Sequence, residues 1–140
     1  MEDFVTFDLA KKLKEKGFKE TCFGWYYPRE ICGYDYRTLI VSNCSEYRGD
    51  KYKDLLISHN DDKHIDAPTI SQVLKWLREE KDIDLVISPV FFYDDVLGKM
   101  REYGCKVFAP LLNKPEHCSY HEEWEQAAIA GIEYVIDNLI

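Results

Sequence analysis

The segment TISQVLKWLREEK, from Thr69 to Lys81, constrains the fold more than any other stretch. Ile70, Val73, Leu74 and Leu77 repeat at i, i+3, i+4 and i+7, which puts their side chains on one face of an α-helix. Trp76 flanks that face. Thr69 and Gln72 have the spacing of a capping box, and Pro68 stiffens the entry. The charged run from Arg78 to Asp82 ends the element. A helix with one apolar face has to bury it against another layer, so the rest of the chain must supply a partner for this one.

Two more helices follow from the same reasoning. Thr6 has the character of an N-cap. Leu9, Ala10 and Leu13 form a stripe, and Gly17 suits the left-handed stop position, with Phe18 folding back on Leu13. A helix over residues 7–16 is therefore predicted, with Lys11, Lys12, Lys14 and Lys16 making its solvated face basic. At the other end, Glu122 to Ile140 reads as helix, with Ser119 and Glu122 again at capping-box spacing. Trp124, Ala128, Ile132, Val135 and Leu139 line one face. The small residues Ala127, Ala128, Ala130 and Gly131 allow a sheet to come close.

Between the helices lie short β-prone runs. Cys22 to Tyr27 (CFGWYY) reads as a strand that Pro28 ends, residues 29–36 as a turn around Gly33, and Thr38 to Ser42 as the returning strand. Asp54 to His59 is a candidate third strand, and HNDDKHID after it a polar loop. Asp84 to Tyr93 reads as a strand in which Pro89 implies an edge position or a bulge. Asp94, Asp95 and Gly98 mark a turn, and Met100 to Pro110 returns. A short helix over Val96 to Tyr103 is the competing reading there. The resulting order is α-β-β(-β)-α-β-β-α. It predicts an α+β fold, a two-layer sandwich with a mostly antiparallel sheet, in a single domain over residues 1–140.

Composition narrows the function classes. Apolar residues make up 46% of the chain, enough for a core. The longest apolar-rich run, Leu85 to Tyr93, falls far short of the roughly 18 residues of a membrane-spanning helix. The start, MEDFVTFDLAKKLKEKG, lacks the apolar stretch of a secretory signal. Five cysteines, none at CxxC spacing, suit a reducing compartment. A cytoplasmic protein that does not contact membrane is expected. With 18 Lys and Arg against 26 Asp and Glu, the formal charge is −8. Nucleic acid is therefore not an expected partner, and a basic protein surface is.

Two constellations carry candidate chemistry. His121-Glu122-Glu123-Trp124-Glu125 approaches the zincin motif HExxH, in which two histidines one helical turn apart hold zinc beside a glutamate base. Here Glu125 replaces the second histidine, and Cys118 or His117 is at hand as a further ligand. The same acids also serve as first-turn complements to the helix dipole. His59, Asp61, Asp62, His64 and Asp66 crowd one loop, without the spacing of an EF-hand or a zinc site. Asp94-Asp95 pairs two carboxylates, which general acid–base work requires in a cleft. GxSxG, P-loop and GxGxxG patterns are absent.

The second constellation is aromatic. Trp25, Tyr26, Tyr27, Tyr34, Tyr36 and Tyr47 stand together with Arg29, Arg37 and Arg48. Tyrosine and arginine are favoured at binding surfaces, and they also fill half-exposed sheets.

The blocks VTFDLAKKLKEKGF, APTISQVLKWLREEK and AAIAGIEYVIDNLI together resemble a family of small uncharacterised proteins from gut bacteria and their phages and mobile elements. The resemblance spans nearly the whole chain. It implies no activity and transfers no functional residue, and HCSYHEE lies just outside it. Tyr120-His121-Glu122-Glu123 also approximates the "YEEA" helix of small antitoxin-type domains. That analogy implies a toxin partner and a DNA-binding segment, neither of which the sequence displays.

Two readings follow. The first is a non-catalytic binding protein that needs no cofactor and meets a protein partner through Trp25, Tyr27, Arg29, Tyr34, Tyr36 and Arg37. The alternative is a metal-dependent hydrolase using His121, Glu122, Glu125 and Cys118.

Overall fold

The computed structural model describes residues 3–31, 34–41, 65–112 and 117–140. They fall into two compact units, one reaching to Thr69 and the other running from Ile70 to Ile140. Each combines helix with a three-stranded antiparallel sheet, so the fold is α+β.

In the first unit, α1 runs Phe7–Glu15 and buries Leu9, Ala10 and Leu13. Thr6 caps it, its Oγ1 accepting from the Leu9 N–H at 3.4 Å. Gly17 stops it at φ 91°, where a Cβ is costly, and the Phe18 N–H donates back to the Leu13 carbonyl at 3.0 Å. Both ends lie where the local signals put them.

The sheet has the order β2-β1-β3, with β1 at Gly24–Ile31, β2 at Tyr34–Val41 and β3 at Ile65–Ala67. Pro28 does not end β1. It sits within the strand, opposite Arg37 of β2. The reason is the length of β3, which pairs only with Gly24 to Tyr26. Past Tyr26 the second side of β1 is an open edge among the described residues, and a proline there sacrifices no ladder bond if its nitrogen faces that edge. β3 itself falls in the stretch read as a polar loop. The strand expected at Asp54 to His59 lies outside the described residues. Tyr26 ties the helix entry to the sheet, its hydroxyl donating to the Val5 carbonyl at 2.6 Å and its ring meeting Phe7 edge-on at 5.6 Å.

The second unit begins with α2, Ile70–Lys81, which buries Ile70, Val73, Trp76 and Leu77. The face is rotated slightly from expectation. Trp76 lies inside it and Leu74 is half-buried. The helix ends with Asp82 in the left-handed region at φ 54°. Next come β4, Asp84–Asp94, and β5, Gly98–Phe108, paired along their full length. A single turn of 3₁₀ helix at Pro110–Leu112 precedes β6, His117–His121, and α3, Trp124–Asn138. The order β4-β5-β6 leaves β4 at an edge, one of the two placements that Pro89 implies. The short helix over Val96 to Tyr103 does not form, because those residues are the turn and the first half of β5.

α3 packs across all three strands. Its buried residues are Ala127, Ala128, Gly131, Ile132, Val135 and Ile136, with Trp124 and Leu139 only half-buried. At Gly131 there is no room for a side chain. A Cβ built there would fall on Cys105 Sγ and 2.6 Å from Leu85 Cδ2. The run of small residues is therefore what lets the helix backbone settle on β4 and β5.

Candidate functional site

The unequal lengths of the strands create an arm. β6 pairs only with Tyr103 to Val107 of β5. Beyond that point β4 and β5 continue as a two-stranded hairpin, with Val90 opposite Glu102, Phe91 opposite Arg101, Phe92 opposite Met100, and Tyr93 opposite Lys99. The turn at the tip is built by Asp94, whose Oδ1 accepts from the N–H groups of Val96 and Leu97, both at 2.8 Å. The Leu97 and Val96 bonds hold the Asp94 carboxyl below its ordinary value. Asp94 is thereby occupied in closing the turn rather than poised for proton transfer.

The arm is apolar and exposed. Phe91 is 57% exposed, Phe92 39%, Tyr93 77%, Val96 89% and Leu97 71%. Strand alternation places Phe91 and Tyr93 on one face and Phe92 on the other. Two cations lie on the first face. Lys99 Nζ is 4.9 Å from the Phe91 ring centre, and the Arg101 guanidinium is 5.3 Å from that of Tyr103. Each covers part of a ring while keeping its charge in water.

The residues singled out in the sequence are placed differently. Trp25 is half-buried on β1, opposite Ile40 and Asp66. Strand pairing sets Tyr27 opposite Thr38, Arg29 opposite Tyr36, Pro28 opposite Arg37 and Ile31 opposite Tyr34. For Tyr27, Arg29, Tyr34, Tyr36 and Arg37 only this backbone pairing is described. Tyr47, Arg48, His59, Asp61, Asp62 and His64 lie outside the described residues.

The HEEWE stretch is not a helix start. His117 to His121 is a strand, Glu122 and Glu123 form a bend, and α3 begins at Trp124. Ser119 therefore caps nothing, and the N-cap position falls to Glu123, which makes no side-chain capping bond. The physical reason is pairing. The backbone of HCSYH completes a ladder with β5, and its alternation puts His117, Ser119 and His121 on the half-buried face with Cys118 and Tyr120 outward. The His117 ring stacks on Tyr134 of α3 at 3.8 Å, and His121 Nε2 lies 3.0 Å from Ser119 Oγ. His121 and Cys118 thus occupy opposite faces of one strand, and Glu125 is on the helix beyond the bend. The one-turn spacing that HExxE needs is not realised. Among the described residues, no three His, Cys, Asp or Glu side chains gather in a way that would hold a metal ion.

Cys22 and Cys105 are buried free thiols and Cys118 is an exposed one. Burial, reinforced by the charges of Asp66 and Glu20, pushes Cys22 up to about 12 from the ordinary 9.0. Burial, with the charge of Cys118 adding to it, takes Cys105 to about 11. Both stay protonated and inert at neutral pH. Brief iodoacetamide treatment of the native protein at pH 8 is expected to modify Cys118 and spare Cys22 and Cys105 in peptide maps. Labelling of either at the rate of Cys118 would contradict their burial. Because their folded values are raised, the stability these thiols contribute is intact below pH 9. It is lost as pH climbs toward 11 for Cys105 and 12 for Cys22.

The exposure of the arm is not legible in the sequence. Leu85 to Tyr93 reads as an apolar run, and such a run signals burial. Only the turn signal after it was available to show that it leaves the sheet. No described helix is long and apolar enough to cross a membrane. No protein-family model, curated protein or solved structure matches the chain.

Proposed function

We propose that this chain is a non-catalytic cytoplasmic protein that works by binding another macromolecule, and that the β4–β5 arm is its contact surface. The observation that carries this reading is the set of five large apolar side chains open to solvent on one hairpin. Water exposure of that much apolar surface is unfavourable, and partners that cover it gain the burial energy. The formal charge of −8 supports a protein partner over nucleic acid. The arm adds aromatic side chains and an arginine, the residue types enriched at the centres of protein interfaces.

Hydroxyl-radical footprinting tests the reading. Tagged protein at low concentration in lysate of the source cells is expected to lose oxidation at Phe91, Tyr93 and Leu97 relative to the same concentration in buffer. The exposed Leu111, away from the arm, serves as the reference and is expected to keep its reactivity. Equal oxidation of the arm in lysate, in buffer and in concentrated purified protein would sink the proposal.

A further inference from the structure

We infer that the occupant of the arm is a second copy of this chain, joined edge to edge through β4. The inference rests on the reading of the arm as a contact surface and adds the partner and the register.

The geometry of the edge selects the register. β4 is an edge strand, and among the described residues its outer side is paired with no other strand. Pro89 has no N–H to donate, so it limits a new ladder on that side. The turn at Asp95 limits it at the other end. Val90 to Asp94 (VFFYD) remains, and its centre is Phe92. An antiparallel two-fold pairing of this segment with itself puts Phe92 opposite the partner's Phe92 and Phe91 opposite the partner's Tyr93. Val90 then faces the partner's Asp94. No like charges oppose one another, and aromatic pairs directly across strands are the favourable kind.

The arrangement also continues across the rows of β5. On one face, Lys99, Tyr93, the partner's Phe91 and the partner's Arg101 fall in line, so each aromatic pair is flanked by cations. On the other face, Met100, Phe92, the partner's Phe92 and the partner's Met100 make an apolar row. The free edge of β5 beyond β6 does not offer this. Self-pairing centred on Met100 would set Lys99 against the partner's Arg101, a like-charge contact across strands. An isologous dimer requires a self-complementary patch, and the β4 edge is one.

Area supports the same conclusion. Taking about 200 Å² per aromatic side chain, the exposed fractions of Phe91, Phe92 and Tyr93 leave roughly 350 Å² open on each copy. Val96 and Leu97 add to it. The aromatic share is under half of the roughly 800 Å² per partner of a standard interface, which fits a dimer that dissociates on dilution. Joining the edges would also satisfy backbone groups that an open edge leaves to water.

Sedimentation velocity over a dilution series is the test. The wild-type chain is expected to move from monomer to twice that mass as concentration rises. Phe92→Asp sets two carboxylates against each other on the two-fold axis and is expected to weaken dimerisation at least about tenfold. Leu111→Asp, on the exposed 3₁₀ turn, is expected to dimerise like the wild type. Phe92 is partly exposed and outside the core, so at concentrations where both chains are monomeric its variant is expected to keep the wild-type circular dichroism and urea midpoint. In a background with Cys32, Cys44 and Cys118 replaced by serine, Phe92→Cys should cross-link across the axis on mild oxidation, and Lys99→Cys should not.

A wild-type chain that stays monomeric at every concentration overturns the inference. So does dimerisation that Phe92→Asp leaves intact. If the purified chain is monomeric while the arm is still protected from oxidation in lysate, the partner is a different protein. The inference then fails and the contact-surface reading stands. If the arm is protected in neither setting, both fail.

Discussion

Replacing Ile132 by alanine is expected to lower the stability of the chain by about 2–5 kcal/mol, the range for deleting a fully buried aliphatic side chain. Ile132 has no exposed surface and lies in the buried face of α3, between Ala128 and Val135. The truncation loses the transfer energy of the removed carbons and leaves a cavity. On the preceding turn of the helix the buried residues are Ala127, Ala128 and Gly131, which have little or no side chain to move into it. Collapse is therefore restricted, and the cost should sit in the upper half of the range. Natural domains hold only about 5–15 kcal/mol in total, so the urea midpoint should fall by roughly a quarter or more. Ile129→Ala provides the contrast, because Ile129 lies on the same helix but is half-buried. Equal midpoints for the two variants would show that the Ile132 side is not the packed face.

Gly131→Ala tests the contact of α3 with the sheet. Helix propensity favours alanine over glycine by about 1 kcal/mol, so on an exposed helix this change stabilises. Here the new methyl meets Cys105 Sγ and Leu85 Cδ2. The leucine tip can rotate away. Cys105 belongs to the central strand of the sheet, paired on both sides by β4 and β6, and has no such freedom. Overpacking of this kind costs about 1–3 kcal/mol and propensity returns about 1 kcal/mol, so a net loss of up to about 2 kcal/mol is expected in urea unfolding. Adding Cys105→Ala removes the sulfur and should recover part of the loss, a coupling that independent sites do not show. A rise in the midpoint for Gly131→Ala alone would mean that the helix stands further from the sheet than described.

The candidate surface was only partly legible in the residues. Asp94, Asp95 and Gly98 announce a turn, and the turn forms where they stand, with Asp94 accepting from two backbone N–H groups. The apolar run ahead of it carries no mark of exposure. Phe91 and Tyr93 differ from Leu85 and Ile87 only in lying past the end of β6, and the length of β6 is decided by pairing, not by composition. His121 shows the opposite error. HExxE spacing has chemical meaning only on a helix, and the ladder with β5 holds His117 to His121 extended.

Local chemistry determined the three helices, the Thr6 cap and the Gly17 stop. It also determined the placing of a proline-bearing edge strand and the turn at the arm's tip. These depend on side chains within a few residues of one another, on capping oxygens, glycine dihedrals and a 3.6-residue period, so the sequence displays them directly. Tertiary structure alone decided that Pro28 lies inside a strand, that Ile65 to Ala67 completes the first sheet, and that HCSYH is a strand. It alone decided that the aromatic end of β4 meets water. Each of those outcomes depends on which backbone donors and acceptors find partners distant in the chain, and no local pattern records that pairing.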